Sequence, residues 1–183
     1  MALGNQVKTD ALSTVYTTEQ YPLGTTYMEP ADEVASNGSG VSTNTYTLLT
    51  GDREWVFIKS DGTINAGDLV KRTADGAPFV GQQDNSDEGP AFDMLGVADH
   101  AIANGSYGWI IKRGACVVQA VAAVAAGNLL ASDGNTTAGE VSIVTGTGAS
   151  MLAQSVIGIA LEDESASAES GAGFVCARIN IPA

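Results

Sequence analysis

Several chemistries are scarce or missing in this chain of 183 residues. It has one histidine, His100, so zinc sites built from several imidazoles are excluded. Its two cysteines, Cys116 and Cys176, stand sixty residues apart, so neither paired metal-ligand spacing nor a disulfide framework is implied; both are expected as buried thiols. Basic residues number 8 against 21 acidic ones, a net charge of −13 with a sequence pI near 4.1. A chain this poor in Lys and Arg cannot neutralise a phosphate backbone, which excludes nucleic-acid binding as its role. It is equally unsuited to an anionic membrane surface. The longest apolar run, Ala120 to Ala126, is too short to span a bilayer. The start, Met-Ala-Leu-Gly-Asn-Gln, has neither a basic segment nor an apolar one, so no signal peptide is expected. The sequons at Asn37, Asn104 and Asn135 then carry no meaning, and folding in cytosol is the expectation.

Catalytic signatures are missing too. There is no Gly-x-Ser-x-Gly, no phosphate loop and no dinucleotide fingerprint; Gly146-Thr147-Gly148 runs on without a third glycine. His100 follows Asp99 directly, and neighbours in a strand point to opposite faces, so the two are not expected to form an oriented base pair. A surface-loop histidine is the expectation. The stretch Asp84-Asn85-Ser86-Asp87-Glu88-Gly89 imitates the first half of a calcium loop. Its twelfth position is Leu95, where that loop needs a bidentate Glu, and the imitation fails. Glu162-Asp163-Glu164 with Glu169 reads as a solvated acidic loop. Catalytic residues, metal ligands and cofactors are therefore all assigned as none.

What is present is β-forming. Hydrophobic residues make up 44%, enough for a core, while charged residues are only 16% and glycines number 22, a mixture that favours turn-rich strands over helices. Residues 1 to about 50 differ from the rest: fourteen are Ser or Thr, and apolar residues come singly. They are expected as an extended N-terminal arm needing a surface to lie on, with anchors at Leu12, Val15, Tyr16, Tyr21 and Leu23. A turn at Asn37-Gly38-Ser39-Gly40 and a strand at Thr45–Leu49 would lead into a body over 51–183. From Trp55 onward short β-favouring runs alternate with turns. They are Trp55–Ile58, Ile64–Val70, Phe79-Val80, Met94–Ala98, Tyr107–Ile111, Ala115–Gln119, Val141–Val144, Val156–Leu161 and Phe174–Ile181. Turn signals stand at Asp61-Gly62, Asp75-Gly76, Asn104-Gly105 and Asp133-Gly134. The expected fold is mostly β, a compact barrel- or sandwich-like body.

An internal repeat sharpens that expectation. Ala66-Gly67-Asp68-Leu69-Val70 returns as Ala126-Gly127-Asn128-Leu129-Leu130, and Leu95-Gly96-Val97-Ala98 as Ile157-Gly158-Ile159-Ala160. Gly108-Trp109-Ile110-Ile111 returns as Gly173-Phe174-Val175-Cys176, and the Trp55-led strand as the Trp109-led one. The order is kept while the offsets drift, as loop insertions produce. Pseudo-repeats over about 54–111 and 109–181 would share the strand near Trp109. The repeat also settles Val118–Leu130 as strand–turn–strand, although its alanines favour helix. Trp55, Trp109 and Phe174 then become core or interface anchors.

The runs Tyr21-Pro22-Leu23-Gly24-Thr25, Glu54–Val70, Met94–Ala98 and Ile102–Ile110 resemble virion proteins of tailed bacteriophages, in particular capsid decoration (cement) proteins. The resemblance covers most of residues 21 to 183. It implies a non-enzymatic structural protein made in the bacterial cytoplasm and placed on the outer surface of the head. Its partner there would be the major capsid protein, with the β body a homotrimer on three-fold positions and the arm reaching across capsid subunits. Alternatives are another head or tail component such as a fibre base, a carbohydrate-binding adhesin with Trp55, Trp109 and Tyr107 as platform, and a hydrolase around His100 and Asp99. An exposed tryptophan pair would favour the adhesin.

Overall fold

The computed structural model describes residues 11–33, 49–73, 78–85, 93–121, 124–133, 137–144, 156–163 and 173–181. Ten strands follow in order: β1 (Thr26–Glu29), β2 (Arg53–Ser60), β3 (Leu69–Arg72), β4 (Val80–Gln83), β5 (Met94–Val97), β6 (Tyr107–Ala120), β7 (Leu129–Ser132), β8 (Val141–Ile143), β9 (Gly158–Ala160) and β10 (Gly173–Asn180). The chain is mostly β, as its composition and patterning predict. Val118–Ala120 is strand, Ala126-Gly127 turn and Leu129-Leu130 strand, because ladder bonds to Gly173–Val175 hold Val118–Ala120 extended despite their helix-favouring neighbours.

The strands close a barrel in the order β2-β4-β3-β5-β6, with β6 returning to β2. Only β2–β4 is parallel; the other four pairings are antiparallel. The remaining strands repeat the scheme as a second ring, β6-β8-β7-β9-β10 and back to β6, in which only β6–β8 is parallel. Strand for strand, β2 to β6 of the first ring correspond to β6 to β10 of the second. Their turns match as well. In the first, the Asp68 side chain accepts from Asn65 N–H, Gly67 N–H donates to Ala98, and Ala98 N–H returns a bond to Asp68. In the second, Asn128, Ala125, Gly127 and Ala160 make the same three bonds. Gly67 and Gly127 sit at φ of 89° and 86°, a conformation glycine adopts without a Cβ penalty.

The shared strand β6 is 14 residues long, where the sequence suggests two strands broken at Lys112–Gly114. Gly114, at φ 111°, carries the chain through without a break. A Cβ there would lie 2.6 Å from the Asp52 carbonyl oxygen, so the position admits no side chain. The irregularity exchanges the faces of the strand. Trp109 and Ile111 before it and Cys116, Val118 and Ala120 after it all enter one core cluster. That cluster runs from the outer face of the first barrel into the second ring. The first barrel is filled separately by Val56, Ile58, Ile64, Val70, Leu95, Ala98, Ile102 and Ile110. The repeat pairs differently from the Trp-to-Trp alignment of the sequence: Trp109 belongs to the last strand of the first ring, and the second ring begins on the far half of β6.

The described part of the N-terminal region departs from a free arm. Tyr16 bridges Tyr107 by two main-chain hydrogen bonds of 2.9 and 2.8 Å, and β1 pairs in antiparallel register with β2 from Thr26↔Val56 to Glu29↔Arg53. The boundary at about residue 50 therefore does not separate 11–33 from the body. Tyr16 and Tyr21 meet Phe57 edge-on, and Tyr21 also contacts Trp109. The aromatic rings left on the outside of β2 and β6 need apolar cover, and this segment supplies it. The expected turn at Asn37–Gly40, residues 45–48 of the expected strand, the Asp75-Gly76 turn and Gly146–Gly148 lie outside the described residues.

Candidate functional site

His100 lies in a bend after β5, half-buried against Ile102 and Gly108 rather than in an exposed loop. Among the described residues neither ring nitrogen has a hydrogen-bond partner, and burial lowers its pKa to about 4. A general base needs an oriented, protonatable ring at working pH, and no described residue orients His100. Asp99 is buried. The two thiols are buried on opposite faces of the β6–β10 ladder. Burial holds Cys116 far above the usual thiol range and Cys176 at about 12, which disfavours the thiolate form that a nucleophilic cysteine needs.

Asp84 of the calcium-like stretch is buried, accepts from the Ser132 hydroxyl and stands 3.9 Å from Lys71 Nζ. Its side chain is thus turned into the protein, and residues 86–89 lie outside the described residues. Of the second acidic loop, Asp163 accepts from Ala126 N–H at 2.8 Å; Glu164 and Glu169 lie outside the described residues. Among the described residues no three His, Cys, Asp or Glu side chains are grouped to hold a metal ion.

Trp55 and Trp109 are 3% and 2% exposed, so they cannot serve as a sugar-stacking platform. Trp55 donates from Nε1 to Glu29 Oε2 at 2.9 Å, and Arg53, also buried, donates from Nε to the Ala115 carbonyl at 2.7 Å. Arg53 Nη1 lies 3.7 Å from the same Glu29 oxygen. Glu29 of β1 is thus fixed to β2, and through Arg53 to β6. Phe174 is half-buried against Leu49, Ala115, Val117 and Cys176 on the outer face of the second ring. Of the five expected arm anchors, Leu12 is buried, Tyr16, Tyr21 and Leu23 pack on the chain's own core, and Val15 alone is exposed. Four of them are therefore spent within the molecule.

Sequence reasoning missed the seam between the two rings. Asp68, Asp84 and Glu140 are buried there, with Gln83 donating to Asp68 at 2.5 Å and Gln119 to Glu140 at 2.9 Å. Main-chain bonds run across it, from Leu69 N–H to Gly139 and from Gln119 N–H to Gly67. Burial raises the pKa of Asp68, with the nearby Glu140 adding to it, and burial also raises that of Glu140. The one signal in the sequence was Asp68 standing where the repeat has Asn128. Elsewhere an open depression of about 440 Å³ is lined by Thr50, Asp52, Gly114, Arg178 and Asn180.

No family model matches this chain, and no curated protein does. Among solved structures it is similar to the N base of the head fiber gp8.5 of bacteriophage phi29, with 16% identity and a TM-score of 0.47 over 69% of this chain and 92% of that one. A likeness of that degree assigns neither family nor role.

Proposed function

We propose that this chain is a structural virion protein of a tailed bacteriophage, a decoration protein that binds the outside of the head and stabilises the shell. The observation that carries the reading is where the resembling residues fall. Glu54–Val70, Met94–Ala98 and Ile102–Ile110 contain or border β2, β3, β5 and the first half of β6, four of the five strands of the closed barrel. The likeness to cement proteins therefore rests on the residues that build the body. A rigid, acidic body with its reactive groups buried suits a protein whose task is to occupy a surface.

The partner in this reading is the major capsid protein, and a homotrimer matches a three-fold site on the shell. Each protomer that touches several capsid subunits adds modest contacts at high effective concentration. A ligand that binds only the mature shell raises its stability by mass action. Capsid contact falls to surfaces other than Leu12, Tyr16, Tyr21 and Leu23, which the body already uses.

Copy number tests the proposal. In purified virions of the phage that encodes this chain, gel densitometry should give close to one copy per major capsid protein. A few copies per particle would overturn decoration and favour a fibre base, and absence from the virion would overturn both.

A further inference from the structure

Asp68 holds its turn with a charge that its counterpart in the second ring does without. There the bond from Ala125 N–H is accepted by the side chain of Asn128, which is half-buried. In the first ring the same bond, from Asn65 N–H at 2.6 Å, goes to Asp68 Oδ2, and Asp68 is fully buried. An amide would serve the turn at both places; only a carboxyl group can gain and lose a proton there.

The buried carboxyl group faces the second ring. Oδ2 also accepts from Gln83 Nε2 at 2.5 Å, whereas Oδ1 has no hydrogen-bond partner among the described residues. Oδ1 lies against the main chain of Gly139: a Cβ there would stand 2.5 Å from it, so only glycine, here at φ 88°, fits. Gly139 is itself held at the seam by two main-chain bonds of 2.7 Å, accepting from Leu69 N–H and donating to the Asp84 carbonyl. The next residue, Glu140, is buried and accepts from Gln119. Burial first, and then the charge of Glu140, disfavour the ionised form of Asp68. Further charged groups at the seam are Asp84, just after β4, with Lys71 Nζ of β3 3.9 Å from it, and Asp133, just after β7, whose N–H donates to the Glu140 carbonyl.

We propose that Asp68 is a proton-operated latch on the seam: neutral, it lets the Gly139-Glu140 segment lie against β3; ionised beside Glu140, it loosens that segment. A neutral carboxyl group rests against Gly139 at little cost. A carboxylate there has one oxygen buried without a donor among the described residues and a second carboxylate close by. The closed seam holds the Asp68 proton more tightly than an open one does. Closure is therefore favoured at low pH and weakens as pH rises through 3.8 and on through the raised value of the closed state. The apolar cluster shared by the two rings keeps the rest of the molecule together, so the opening is local. Such a latch would operate whether or not the chain decorates a capsid.

Native-state hydrogen exchange followed by NMR on the full-length protein at stepped pH, corrected for intrinsic exchange rates, tests the latch. The Leu69 and Gly139 amides should be less protected than those of Ile58 and Ile110 in the first barrel, because they exchange through the local opening. Their protection should fall as pH rises, about tenfold for each unit by which closure raises the Asp68 pKa. Most of that fall should vanish in Asp68→Asn, which places at this turn the residue type the second ring uses. Glu140→Gln leaves the turn untouched and should diminish the fall as well. Seam protection that is constant with pH, that equals the protection of Ile58 and Ile110 throughout, or that falls undiminished in either variant overturns the latch.

Discussion

Glu29 is the residue on which the N-terminal strand is held. Its carboxylate meets both Trp55 Nε1 and the Arg53 guanidinium at full burial. Removing one partner of a buried ion pair leaves the other charge uncompensated, which costs about 3–5 kcal/mol. Glu29→Ala should therefore destabilise the protein by that order in urea titration, while Glu54→Ala, which loses looser contacts of 3.9 and 3.6 Å with Lys112 and the half-exposed Arg113, should cost clearly less. Asp68 gives the pH dependence. Its pKa is raised in the folded protein, so the folded state holds the proton more tightly than the unfolded chain. Well below the ordinary value of 3.8 both states are protonated and burial carries no penalty; as pH rises through 3.8 and on through the folded pKa, the penalty grows to its full size. The stability of wild type relative to Asp68→Asn should fall across that window in denaturant titrations at stepped pH. A constant difference would contradict the assignment. Neither the buried Glu29 nor the seam carboxylates were legible in the sequence, because burial of a charge depends on partners distant in the chain, 15 residues away for Asp68 and Gln83 and 26 for Glu29 and Trp55.

At the level of elements, the strands and the repeat were legible because β-favouring runs and glycine turns are local signals. The long β6 was not, since Lys112 and Arg113 read as a break and only the fit of Gly114 against Asp52 shows the chain running through. Gly114→Ala should lower the melting temperature clearly, a cost of roughly 1–3 kcal/mol or more from strain and clash. Gly127→Ala, also at positive φ but with open space around it, should cost less. The N-terminal segment was misjudged because single apolar residues among Ser and Thr have no period of their own; their order comes from the aromatic face they cover. Deleting residues 1–44 removes β1 and uncovers Phe57 and Trp109. Burial of a large apolar side chain is worth about 1.5–3 kcal/mol, so losing Leu12, Tyr16 and Tyr21 together should sharply reduce stability in thermal melts. A truncated protein that melts with the wild type would show that the segment only rests on the body.

For the whole molecule, two five-stranded rings share one strand and carry two differently covered faces. The first ring is sealed by the second and by the N-terminal segment; the second ring leaves Leu129 and Ile159 open. In the proposed reading this body sits on the outer shell of a phage head. The most direct measurement is an electron cryo-microscopy reconstruction of the virion whose genome encodes this chain. Two-lobed density in threes at the three-fold and quasi-three-fold positions of the outer shell is the predicted result. Density confined to a single vertex, to fibres or to the tail would contradict the account.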